Sequence, residues 1–192
     1  MQISFHTDIS AQEFSFKDHA LFPKPPCRCP FKDCSMPVNL KKHGYYSRFF
    51  ISKIFTGFIF LRRYICPVCC RTISMLPMFC LRGFQYSGID ILNLLHELYQ
   101  GGISLRKLIE RTKSELPTLE RRHMNYYRKR IVKNRSLIQY GLNLISPEFI
   151  FAGGILENQK WVKTFLEKVQ NLHPHVFLLG FSHCIGKPFM TS

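Results

Sequence analysis

Two cysteine pairs are the residues of this chain best suited to chemistry: Cys29 and Cys34 in CRCPFKDC, and Cys66 and Cys69 in YICPVCCRT. Zinc favours four tetrahedral ligands, and thiolates suit it well. Two cysteines a few residues apart in a tight turn can aim both sulfurs at one ion. Two such turns complete the shell and leave no position for water, so the expected cofactor is one structural Zn2+. CPVC has the tighter spacing; four residues separate the first pair, and Cys27 is close enough to compete with Cys29. Cys29 is preferred because Cys-Pro begins both turns. Cys70 follows Cys69 directly and should point away from the ion. Cys80 and Cys184 read as plain buried thiols, and His43, beside a strand turn, as a surface residue. His173, His175, His183 and Cys184 match no metal-binding spacing.

The elements that must hold these ligands are strands. Between the pairs lie 31 residues rich in aromatic, β-branched and basic types. VNLKKHGYYSRFFI reads as a strand, a turn at Gly44 and a second strand; FIFLRRYI runs directly into CPVC; RTISMLP leaves it as a further strand. The expected architecture of residues 27–80 is a zinc ribbon, two cysteine turns each at the end of a β-hairpin. Residues 1–26 read as a lead-in, in which Ile3, Phe5, Ile9, Phe14 and Phe16 supply one strand and Pro23, Pro25 and Pro26 a stiff approach.

Period two then gives way to helical period. Ile89, Leu92, Leu95 and Leu98 fit a helix ending at Gly101-Gly102, and Ser104 N-caps a second, LRKLIERT. A third begins near Thr118, with Met124, Tyr127 and Ile131 inward and seven basic residues from Arg121 to Arg135 without an acid. Three helices with a basic third suggest a helix-turn-helix-like domain over residues 87–135. In that reading Arg121, Arg122, Asn125, Arg128 and Arg135 reach base edges or backbone, and Lys129 and Lys133 meet phosphate. The fold class expected is α+β, a small four-cysteine zinc ribbon of antiparallel strands followed by an all-helical region. Residues 136–192 read as a helical segment, with Trp161, Phe165, Val169 and Leu172 on one side, and an apolar tail of unassigned role.

The charge agrees with a polyanionic partner. Lys and Arg number 27 against 12 acids, a net of +15. The excess is +8 over residues 1–86, +6 over 87–140 and only +1 over 141–192. Arg62 and Arg63 add basic character to the ribbon. The alternatives are an RNA- or single-strand-binding ribbon with Tyr45, Tyr46 and Phe49 as stacking residues, or a protein-interaction adaptor with a structural zinc. The N-terminus shows no secretory leader, which with paired cysteines points to a cytoplasmic, metal-binding chain. The apolar run from Ser136 to Leu156 is interrupted by Pro147, Glu148 and Gly153-Gly154 and reads as a buried helix plus a loop. No membrane association and no small-molecule substrate are expected.

The order of these features (a Cys-Pro turn, HGYYSR, RRYICPVCCRTISMLP, then helices from YSGIDIL) resembles the N-terminal zinc-binding region of insertion-element transposases and of a related group of uncharacterised bacterial and phage-like proteins. The resemblance covers about residues 27–112. It implies zinc at Cys29, Cys34, Cys66 and Cys69, and binding of double-stranded DNA by the helices. A transposase nuclease would need clustered carboxylates for two metal ions. The 57 residues after the third helix hold only Glu148, Glu157 and Glu167, so no enzymatic activity is expected, and the chain reads as the DNA-binding front of such a protein.

Overall fold

The computed structural model describes residues 1–16, 21–148 and 157–190. It is a mixed α and β structure, with four strands and seven helices among the described residues, and it divides into two compact units, Met1–Gln85 and Tyr86–Ser192.

In the first unit, β1 (Gln2–Phe5), β2 (Lys41–Ile51), β3 (Thr56–Ile65) and β4 (Thr72–Pro77) form one sheet in the order β1-β4-β3-β2. β2–β3 and β3–β4 pair antiparallel, and β1 adds parallel to β4. The turn expected at Gly44 is instead a bulge inside one strand. Lys42 pairs with Tyr64 and Tyr45 with Arg62, so His43 and Gly44 together oppose Arg63. Gly44 has φ +78°, a conformation that glycine adopts without a Cβ penalty. The chain reverses later, at Ser52–Phe55. There Ser52 N–H donates to Phe55 O, and Phe55 N–H donates to Ser52 Oγ.

The segment expected as a lead-in belongs to the core of this unit. β1 extends the sheet, and α1 (Ala11–Phe16) starts with a capping box: Ser10 N–H donates to Glu13 Oε2 and Glu13 N–H to Ser10 Oγ. Phe14 is buried, with its ring 5.5 Å from Phe22 and 5.6 Å from Phe79. Residues 17–20 of that lead-in lie outside the described residues.

In the second unit, α2 (Gly88–Gln100) is N-capped by Ser87 and ends at Gly101, and α3 (Leu105–Thr112) is N-capped by Ser104. Ile91, Leu92, Leu94 and Leu95 are all buried, so α2 is the central helix; α3, α4 (Arg121–Lys133), α6 (Asn158–Leu172) and α7 (Pro174–Ile185) pack on it. The basic helix α4 is held by a capping box between Glu120 and His123, and buries Met124, Tyr127 and Ile131. Residues 113–120 join α3 to α4 and bury Leu116 and Leu119, so the link is longer than a tight turn and itself packed. α5 (Arg135–Ile145) follows α4 after a break at Asn134. Residues 149–156, which contain the expected loop, and 191–192 lie outside the described residues.

The apolar tail is a helix. α7 packs against α5 and stops at Gly186, which takes the left-handed C-cap conformation at φ +67°. Phe177, Phe181 and Phe189 are buried with Phe165, and Trp161 stacks on Phe165 at 5.5 Å as a core anchor.

Candidate metal centre

β3 delivers Cys66 one residue past its end, and β4 starts at Thr72, so CPVC forms the tip of the β3–β4 hairpin. Cys66 N–H donates to Arg71 O at 3.1 Å and Cys70 N–H to Cys66 O at 2.9 Å, closing the turn. The first cysteine turn is built differently from the hairpin end expected. A single bridge, Arg28 with Pro37, joins its arms. Cys29 N–H donates to Met36 O, Val38 N–H to Cys27 O, and both Cys34 N–H and Ser35 N–H to Phe31 O. Each turn ends alike: the residue after its second cysteine, Ser35 at φ +44° and Cys70 at φ +55°, is left-handed. That conformation sends the chain away from the sulfurs, and it explains why Cys70 is exposed.

The two turns bring the sulfurs of Cys29, Cys34, Cys66 and Cys69 within 4.8 Å of one another. Cys29 Sγ lies 3.7 Å from Cys69 Sγ, and Cys34 Sγ lies 3.9 Å from Cys66 Sγ. Cys29 and Cys66 are buried, Cys34 and Cys69 half-buried. Four cysteine sulfurs around one position can hold a metal ion. Among the described residues no other group of three or more His, Cys, Asp or Glu side chains is placed to do so; His173, His175, His183 and Cys184 are not gathered. Cys27 is exposed and outside the cluster. Cys80 is buried, as expected, and burial pushes its thiol up to about 12. Cys184, expected to be buried, is exposed in the last turn of α7.

Burial pushes the Cys29 thiol up to about 12, whereas hydrogen bonds from the Arg71 side chain and backbone draw Cys69 down to about 6. Arg71 also donates to Asp33 Oδ1 at 2.6 Å, and its guanidinium lies 4.0 Å over the Phe31 ring. Phe31 and Asp33 belong to the first turn and Cys69 to the second, so one arginine ties both turns together beside the sulfurs. From sequence alone Arg71 reads as no more than a basic residue of the sheet. The signal available was an arginine just after CPVCC and an acid inside CPFKDC.

The expected nucleic-acid residues are spread over four places. Asn125, Arg128, Lys129 and Lys133 line one cleft of about 520 Å3 in the second unit, with Tyr99 of α2 and Asn158 of α6, neither of which was singled out from sequence. Arg128 Nε donates to Tyr99 Oη at 3.1 Å. Arg121 and Arg122 stand exposed on the first turn of α4, Arg122 paired with Glu120 at 2.8 Å. Arg135 is turned toward Trp161, with its guanidinium 5.2 Å over that ring. Arg62 and Arg63, in the first unit, are neighbours on β3 and so point to opposite faces of the sheet. No helix among the described residues is long and apolar enough to cross a membrane. Compared with known proteins, the chain matches no family model, and no curated protein and no solved structure matches it.

Proposed function

We propose that this chain is a non-enzymatic, zinc-dependent DNA-binding protein, in which a closed four-thiolate zinc centre holds the first unit and α4 contacts double-stranded DNA. The resemblance to the DNA-binding front of insertion-element transposases, a zinc ribbon followed by a helix-turn-helix-like region, is part of the same reading. For the metal, a tetrahedron with zinc–sulfur bonds of ~2.3 Å has edges of ~3.8 Å. The sulfur separations of 3.7 and 3.9 Å match those edges. Soft thiolates without an accompanying carboxylate favour zinc over hard cations. Four protein ligands leave no place for a bound water, so the centre supplies fold and not catalysis.

The observation that carries the DNA reading is uncompensated charge on a concave basic surface. α4 holds six Lys and Arg and no acid. Lys129 and Lys133 form no ion pair with any described residue, and with Asn125 and Arg128 they line the cleft of the second unit. Lysines there neutralise phosphates, whereas Asn125 and Arg128 offer the planar donor groups that base edges accept. About four phosphate contacts predict a fall of roughly 100-fold in affinity between about 50 and 200 mM salt.

The test is fluorescence anisotropy with labelled duplex DNA, on the full chain and on an Arg121→Ala, Lys129→Ala, Lys133→Ala variant. None of the three side chains supports the core, so folding should be unchanged. Loss of duplex affinity and a shallower salt slope are expected; unchanged affinity would refute the reading. The metal is tested separately. Purified protein should contain one zinc per chain, and a Cys66→Ser, Cys69→Ser variant should lose both the metal and the folded first unit.

A further inference from the structure

One face of the sheet is covered at the cysteine end and bare at the other. Directly paired strand residues share a face. β2 and β3 therefore place Lys42 beside Tyr64, Tyr45 beside Arg62, Ser47 beside Phe60 and Phe49 beside Phe58 on the same side. Near the cysteines this face is closed: Tyr64 is buried and donates to Pro23 O, and the Phe22 ring packs 6.0 Å from Tyr45. Past Tyr45 the cover ends. Phe60 is 54% exposed and Phe58 60% exposed, and the Phe49 ring meets Phe58 edge-on at 5.2 Å. Arg62 marks the boundary, with its guanidinium 4.5 Å over the Tyr45 ring, and Lys42 stands exposed beyond it.

Exposed neighbouring phenylalanines on a strand add nothing to a core, and such patches mark binding surfaces. The charge around this one narrows the ligand. Between Lys41 and Ile65 there is no acid, and two of the six Lys and Arg there, Lys42 and Arg62, lie on this face. We propose that this face binds single-stranded nucleic acid, with bases stacked on Phe60 and Phe58 and phosphates drawn toward Arg62 and Lys42. Residues two apart on a strand are separated by ~6.8 Å. That is twice the ~3.4 Å repeat of stacked bases, so each ring can take its own base from a partly extended strand. The small Ser47 beside Phe60 leaves that ring open to stack. A duplex cannot bind in this way, because its bases already stack on one another and show no π-face.

This site lies wholly in the first unit and does not rest on α4. The test uses the full metal-loaded chain, fluorescein-labelled dT12 and a labelled duplex in anisotropy titrations at about 100 mM salt. Phe58→Ala and Phe60→Ala are each expected to raise the dT12 Kd about tenfold, equivalent to ~1.4 kcal/mol and within the range for stacking on one aromatic ring. Duplex affinity should change less than twofold, and zinc content and thermal midpoint should be unchanged. A Phe60→Trp variant should keep dT12 affinity and show quenching on binding, since the chain's one native tryptophan, Trp161, is buried in the second unit. The α4 variant described above should lose the duplex and keep dT12. Unchanged dT12 affinity in both the Phe58→Ala and the Phe60→Ala variant overturns the inference. So does capture of the wild-type chain by anionic vesicles, or by a poly-glutamate peptide, in preference to dT12.

Discussion

Gly141→Ala tests how the second unit is assembled. In an exposed helix this substitution stabilises, because alanine gains about 0.5–1 kcal/mol over glycine. Here the sign should invert. Gly141 is where α5 meets α7: a Cβ at this position would lie 2.3 Å from Phe181 Cε2, 2.6 Å from Cδ2 and 3.3 Å from Ile185 Cγ1. Carbon atoms pack at about 3.5–4.0 Å, so the ring must retreat by more than 1 Å. It has little room to do so. Phe181 is buried and sits 5.5 Å from the Phe177 ring and 6.3 Å from Phe189. Overpacking of this kind costs about 1–3 kcal/mol. Set against the helix gain, the net loss centres on about 1 kcal/mol, a fall in thermal midpoint of roughly 4–8 °C for a unit of this size. Trp161, buried in the same unit, reports its unfolding by fluorescence. The control is Phe181→Leu, which removes the ring; in that background Gly141→Ala should regain the ordinary stabilising sign. A higher midpoint for Gly141→Ala in the otherwise native chain would refute the packing argument.

Three further outcomes are expected. Arg71→Ala cuts the links from Cys69 to Phe31 and Asp33 and should weaken metal affinity about 10–100-fold, as loss of a group that orients ligands does; competition with a chromophoric chelator measures it, and an unchanged constant contradicts the role given to Arg71. In the native, metal-loaded chain a thiol reagent should label Cys27, Cys70 and Cys184 quickly, the four clustered cysteines only after chelation, and Cys80 only after unfolding; mass spectrometry of the modified peptides decides, and fast labelling of Cys66 would count against a bound metal. Burial holds His96 and His123 below the ordinary 6.5, so the unfolded chain binds more protons than the folded one. Their contribution is complete above that pH and is lost as pH falls below it. The midpoint of the second unit should therefore drop between pH 7.5 and 5.5, and His96→Gln should flatten the slope.

Local signals were readable in proportion to how local their physics is. Ser104 and Gly101 mark helix ends through hydrogen bonds made within four residues, and α3 begins and α2 ends there. CPVC could be read because both ligands lie in one turn. The hydroxyl of Ser52 and the left-handed backbone of Gly44 are equally local, but HGYY reads as a turn unless the pairing of its neighbours is known. The bulge exists only because Lys42 and Tyr45 keep register with Tyr64 and Arg62 on another strand. The N-terminal segment was undervalued for a related reason. Its phenylalanines are ordinary in sequence, and their importance comes from partners such as Phe79, more than sixty residues away.

The sequence by itself determined which residue types could bind a metal, the period of β3, β4 and α2 to α4, and the sign and distribution of the charge. These follow from composition and from bonds that span a few residues. Only the tertiary structure decided that Cys29 and not Cys27 joins the cluster. Cys29 lies on the turn side of the Arg28–Pro37 bridge, where the sulfurs meet, whereas Cys27 lies on the far side of it and stays exposed. It also decided that Arg71 bridges the two turns, that Lys129 and Lys133 share a cleft with Tyr99, and that Phe58 and Phe60 stay bare where Phe14 and Phe22 are buried or packed. Each of these depends on what a distant segment covers, and burial is a property of the whole folded chain.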